Sequence, residues 1–112
     1  MSVAAAHAAA FFEEVRENQL VWSVRDAAGF PTSTNPSGEV AMPFWSLESR
    51  AQAVIASMAA YSGFVPHRIA LQEFSSRWLD GLERDGVRVG LNWSGDRATG
   101  YDLHPAEVRA RL

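Results

Sequence analysis

The chain contains no cysteine and no lysine. The first absence removes disulfides, thiolate nucleophiles, Cys-ligated zinc and iron–sulfur clusters. The second leaves all 10 basic residues as arginine, which excludes a Schiff-base lysine and a Walker-type phosphate loop. A marked excess of either charge is lacking as well: the net value is only −3, and the arginines form no run. A phosphate-backbone binder needs a basic face, so nucleic acid is not an expected partner. No apolar run approaches the ~18–20 residues that span a bilayer, and no membrane partner is expected either. The opening Met1-Ser2-Val3-Ala4-Ala5-Ala6-His7 lacks the positive region of a signal peptide, and Glu13-Glu14 follow soon after. It reads as an alanine-rich first helix, and the chain as cytoplasmic.

What is present suits one domain over residues 1–112. Of these residues 47% are hydrophobic, enough for a core at this length. A helix is expected over residues 2–18, with Ser2 as N-cap and Ala8, Phe11, Phe12 and Val15 on its inner face. Leu20–Arg25 alternates as a strand, with Leu20, Trp22 and Val24 inward. Residues 26–38, carrying Gly29, Pro31, Pro36 and Gly38, form a long loop. A second strand runs from Glu39 to Trp45, and Pro43 places it at an edge or at its own end. Ser46 then caps a helix to about Tyr61. A short strand at His67–Leu71 leads to a helix at Gln72–Glu83. In Val87–Trp93 the odd positions face in, and Arg88, Gly90 and Asn92 face out. Ser94–Gly100 reads as a polar loop, and Pro105 opens a last helix. The order α-β-β-α-β-α-β-α implies an α+β fold with a small sheet of about four strands packed with helices.

Several segments recur together: Pro43-Phe44-Trp45-Ser46-Leu47-Glu48-Ser49-Arg50-Ala51, Ile69-Ala70-Leu71-Gln72-Glu73-Phe74, Trp78-Leu79, Asp85-Gly86, Val89-Gly90-Leu91-Asn92-Trp93 and Pro105-Ala106-Glu107. In that series the chain resembles a bacterial family of small proteins, the domain-of-unknown-function family numbered two thousand seven hundred and fifty. The resemblance runs from Phe11 onward. The strand-to-Trp-Ser-helix passage is also similar to the N-terminal domain of the enhanced serine sensitivity protein B family. Both resemblances imply an intact domain, and neither implies an activity or a catalytic motif.

Candidate chemistry is sparse. His7, His67 and His104 are far apart in sequence, and Asp102-x-His104 is the nearest approach to a ligand set; no metal or other cofactor is expected. No G-x-S-x-G elbow exists, and Ser46 is better placed as a helix cap than as a nucleophile. Glu73–Arg77, Asp80–Arg84 and Glu107–Arg111 have the i, i+4 spacing of solvated helix faces. No catalytic residue is therefore assigned. Trp22 and Trp78 read as core. Trp45 is out of phase with Val40, Met42 and Phe44, and Trp93 ends its strand. With Arg50 these two form the candidate partner- or ligand-binding set, because Trp and Arg are enriched at hot spots. Against this stands a second helical layer that would bury Trp45 as well.

The leading functional expectation is a non-enzymatic protein-binding or adaptor domain that recognises another protein or a second copy of itself. One alternative is a small-ligand-binding domain or enzyme with a pocket near Trp45 and Arg50. Another is an immunity-type neutraliser of a toxin.

Overall fold

Ala8, Phe11, Phe12 and Val15 recur at helical spacing, and they are the buried stripe of α1 (Val3–Asn18). The computed structural model describes residues 3–95 and 99–112. The expected cap at Ser2 and the middle of the Ser94–Gly100 loop lie outside those residues. After α1 the chain forms β1 (Leu20–Arg25), β2 (Ser33–Thr34), β3 (Val40–Phe44), α2 (Glu48–Ser57) and a 3₁₀ turn at Ala59–Tyr61. β4 (Val65–Ala70) follows, then α3 (Leu71–Glu73), a π-helical turn at Phe74–Trp78 and α4 (Leu79–Asp85). β5 (Arg88–Ser94), β6 (Thr99–Leu103) and α5 (Pro105–Arg111) close the chain. The fold is α+β, with two strands more than the pattern predicts. β2 lies inside the 26–38 loop, and β6 covers residues that carry no clean alternation.

The strands form a four-stranded sheet in the order β2-β3-β5-β6 and a two-stranded sheet of β1 and β4. β3 and β5 are parallel, with Met42 opposite Val89 and Phe44 opposite Leu91. β4 returns antiparallel along β1. The two sheets meet where Trp22 and Trp45 exchange both backbone hydrogen bonds at 2.7 Å. β3 is therefore an interior strand, and of the two expected places for Pro43, an edge or the strand's own end, the second holds: β3 stops one residue later, at Phe44. Pro43 is tolerated because its nitrogen points to the same side as that of Trp45, into the gap between the end of β2 and the Trp22 bridge. No ladder hydrogen bond is needed at that point.

Both faces of the sheet are covered. On one, Phe44, Val89, Leu91 and Leu103 pack with Phe11, Phe12 and Val15 of α1, Leu79 and Leu82 of α4 and Val108 of α5. On the other, Ala41, Trp45 and Trp93 lie beneath Ala51 and Val54 of α2, with Val24 and Tyr61 alongside. The second layer explains two departures from simple alternation. In β1 the fully buried residues are Val21, Ser23 and Val24, not the expected Leu20, Trp22 and Val24 set. In β5 the expected outward residues Gly90 and Asn92 are buried. Helix-surface charges also pair across elements: Arg109 of α5 contacts Asp80 and Glu83 of α4, while Arg84 lies 3.9 Å from its own neighbour Asp85.

Truncations in β5 should reflect this layering. Val89 and Leu91 are 0% exposed, so Val89→Ala or Leu91→Ala is expected to cost about 2–4 kcal/mol from lost burial and a residual cavity. Arg88 pairs with Glu39, and both side chains are about one-third exposed (32% and 38%). Solvent screening therefore limits Arg88→Ala to about 1 kcal/mol. Urea titration of the three variants checks the contrast; equal losses would contradict this placement of Arg88.

Candidate functional site

In open α/β sheets ligands collect outside the carboxyl ends of parallel strands. Here those are the ends of β3 and β5, where Trp45-Ser46-Leu47 leads into α2 and Asn92 to Gly95 lead out of β5. Asn92 has φ +51°, a left-handed conformation that asparagine tolerates better than most side chains. The β5–β6 register shifts between Leu91 and Ser94. A bulge of this kind breaks the alternation of side chains. Its effect here is to carry Trp93 off the face of Val89 and Leu91 and onto that of Trp45, which corrects the expectation that Trp93 stays in phase with them.

Asn92 is 1% exposed and saturated with hydrogen bonds. Its Oδ1 accepts the Ser46 backbone N–H at 2.9 Å. Its Nδ2 donates to the Ser46 Oγ at 3.0 Å and to the His7 carbonyl at 3.1 Å. The single Ser46 hydroxyl proton goes to Glu14 Oε1, the shortest of its contacts at 2.6 Å. Glu14 in turn receives the Arg50 Nε and Nη2 at 3.0 and 3.1 Å, a two-point clamp. This line, buried at Ser46 and Asn92 and partly exposed at Glu14 and Arg50, joins α1, the β3–α2 junction, α2 and β5. It also corrects the role expected of Ser46: α2 begins at Glu48 with Leu47 as N-cap and no side-chain cap bond. At 1% exposure, the Ser46 hydroxyl is closed to any substrate.

Burial works to raise the Glu14 pKa, but the hydrogen bonds from Arg50 and Ser46 and the Arg50 charge outweigh it and hold the carboxyl below its ordinary value. Asp102 goes the other way. Burial raises it, opposed by the bond from Trp93 and the Arg88 charge and assisted by Glu39. A depressed carboxyl stabilises the fold above its ordinary pKa of about 4.3, and that contribution is lost as pH falls through the lowered value. A raised one favours the fold at low pH and loses that contribution as pH rises through its folded value. Glu14→Gln is therefore expected to flatten the loss of stability below about pH 4, and Asp102→Asn to remove a decline above it. Urea midpoints between pH 3 and 7 read both effects; an unchanged acid limb in Glu14→Gln would sink the assignment.

The tryptophans complete the frame. Trp45 Nε1 donates to the Trp93 carbonyl at 2.8 Å, and Trp93 Nε1 donates to Asp102 Oδ1 at 2.8 Å. Trp45 is 0% and Trp93 4% exposed, so the rings act as structure under α2 and not as anchors standing in solvent. Arg50 and Trp93 nevertheless share one concavity of about 190 Å³. Its other walls are His7, Ala53, Val54 and Ser57, with Asn92, Ser94 and Gly95 along the strand end. At its rim His7 Nδ1 lies 3.1 Å from Ser94 Oγ. Among the described residues no group of three or more His, Asp or Glu could hold a metal ion, and no helix is long and apolar enough to cross a membrane.

A family model described as "Protein of unknown function (DUF2750)" matches residues 8–112. The chain belongs to that family. The resemblance seen in the Trp45, Trp78 and Asn92-Trp93 segments is therefore a true membership. The DUF2750 match takes in Glu14, Ser46, Arg50 and Asn92, and begins one residue after His7. No curated protein and no solved structure matches the chain.

Sequence reasoning found Arg50, Trp45 and Trp93, and the structure brings all three together. It missed His7, Glu14 and Asn92. Glu14 has the appearance of a surface acid on α1, and its partners lie 32 and 36 residues away. The one available signal was Asn92, a residue tolerant of the left-handed region at the end of a strand otherwise rich in valine and leucine.

Proposed function

We propose that this DUF2750 domain binds a small ligand bearing an anionic or carbonyl oxygen in the pocket between α1, α2 and the end of β5. The observation that carries this reading is the state of Arg50. Glu14 takes two of its five donors, fixing the guanidinium in place and leaving the remaining N–H groups on a side chain that is 30% exposed and lines the pocket. A pre-oriented arginine loses little freedom on meeting a ligand. Val54, Ala53 and Trp93 supply apolar lining, while Ser57, Ser94 and His7 supply further polar groups. At about 190 Å³ the pocket lies below the ~300–1,000 Å³ typical of drug-sized ligands, which favours a compact molecule.

The test is a panel of small carboxylates, keto acids and phosphate esters, titrated while Trp fluorescence and thermal stability are recorded. A native-state ligand raises stability by mass action. Binding should be abolished by Ala53→Trp, which fills the pocket from an exposed helix position without touching the Glu14–Arg50 clamp. Arg50→Gln should also abolish it. If no compound shifts the wild type, or if the filled variant still responds, the reading fails.

A further inference from the structure

A second concavity lies at the opposite end of the parallel pair, outside the amino ends of β3 and β5, and has a volume of about 740 Å³. Its apolar floor is made by Val40, Leu82, Val87 and Pro105. The carboxylate-bearing residues at its margin are Glu39, Glu83 and Glu107, against a single arginine, Arg88. Arg88 is already paired with Glu39. Glu83 is more than half exposed, and its contact with Arg109 is long at 3.8 Å. Glu107 is exposed too, and spends one oxygen on the backbone N–H of His104 at 3.2 Å. His104 also lines the groove, so three carboxylates face Arg88 and one imidazole, and the groove presents an apolar floor with a predominantly acidic margin.

We propose that this groove docks a short segment of a partner protein in which an apolar side chain is flanked by basic residues. An apolar centre inside a charged, solvent-exposed margin is the anatomy of a protein interface. Complementary charge at such a margin selects the partner and speeds encounter more than it adds affinity. The volume lies within the range of specific ligand sites. Charge argues against a second copy as the occupant: the chain is net −3 and has no lysine, so its surface would bring like charge to an acidic margin.

The experiment uses the whole chain, ¹⁵N-labelled, and two blocked seven-residue peptides with a central leucine, one flanked by arginines and the other by glutamates. The arginine-flanked peptide should shift the backbone amides of Val87, Arg88 and Ala106, and the glutamate-flanked one should not. Ala106→Trp, at an exposed position on the groove wall, should weaken binding by at least about tenfold, as filling an anchor pocket does. Glu83→Gln should weaken it by a smaller factor that vanishes at high salt, where exposed charges are screened. Ala53→Trp, in the pocket at the other end, should leave it unchanged. Equal response to both peptides, or shifts away from these amides, overturns the proposal. So does a concentration-dependent dimer that perturbs the same amides, because a second copy would then be the occupant.

Discussion

Asn92→Ala is expected to cost about 3–4 kcal/mol, and Asn92→Gly about 1 kcal/mol less. The alanine variant removes the acceptor of the Ser46 N–H, bound at 2.9 Å, and the donor to Ser46 Oγ and the His7 carbonyl. A buried backbone N–H left without a partner costs about 1–3 kcal/mol, more than the bond itself contributes. Alanine must also adopt the φ of +51° found at this position, which costs a residue with a Cβ roughly 1–2 kcal/mol. Glycine loses the same hydrogen bonds but not the backbone strain. The difference between the two variants thus isolates the left-handed conformation from the network. Urea unfolding with unchanged m-values measures it. Equal losses would mean the backbone is unstrained, and losses under ~0.5 kcal/mol, the size of an ordinary surface substitution, would mean the network is not buried.

Gly90→Ala should be about as damaging, at roughly 3 kcal/mol, the upper range for overpacking a core. A Cβ at residue 90 would lie 2.5 Å from the Trp93 indole nitrogen and 2.6 Å from its Cζ2. The ring cannot step aside cheaply. Its nitrogen is held by Asp102, and its backbone carbonyl receives the Trp45 indole. On the far side the same ring rests against Gly100, where an added Cβ would come within 3.0 Å. Neither glycine is called for by a turn; the indole needs a gap in each strand. If that account is right, Trp93→Leu should partly rescue Gly90→Ala, giving a favourable coupling in a double-mutant cycle. Additive losses would contradict it.

These two positions show where the sequence could be read and where it could not. Val89 and Leu91 announce their burial by alternation, and α1 announces its inner stripe by helical spacing. Trp45 is visibly out of phase with Val40, Met42 and Phe44, and it does occupy the opposite face. Asn92 and Gly90 look like outward positions in the same alternation, because a pattern of period two assumes that one face is wet and that the strand is regular. In β5 neither assumption holds. α2 covers the second face, and one residue in the left-handed region resets the phase for Trp93.

The sequence by itself determined every element except β2 and β6, the α+β class, the family and the chemistry excluded by the absence of cysteine and lysine. These follow from local spacing and composition, which a linear reading samples directly. Tertiary structure alone decided that Ser46 serves Glu14 and Asn92 and does not cap α2, that Glu14 clamps Arg50, and that the Trp93 ring fills the gaps left by two glycines. Each of these joins residues far apart in the chain, Trp93 and its two glycines excepted, and even those meet only because of a backbone irregularity. Their energy comes from leaving no buried polar group unpaired and no void unfilled, conditions that exist only once the sheet and both helical layers have closed around them.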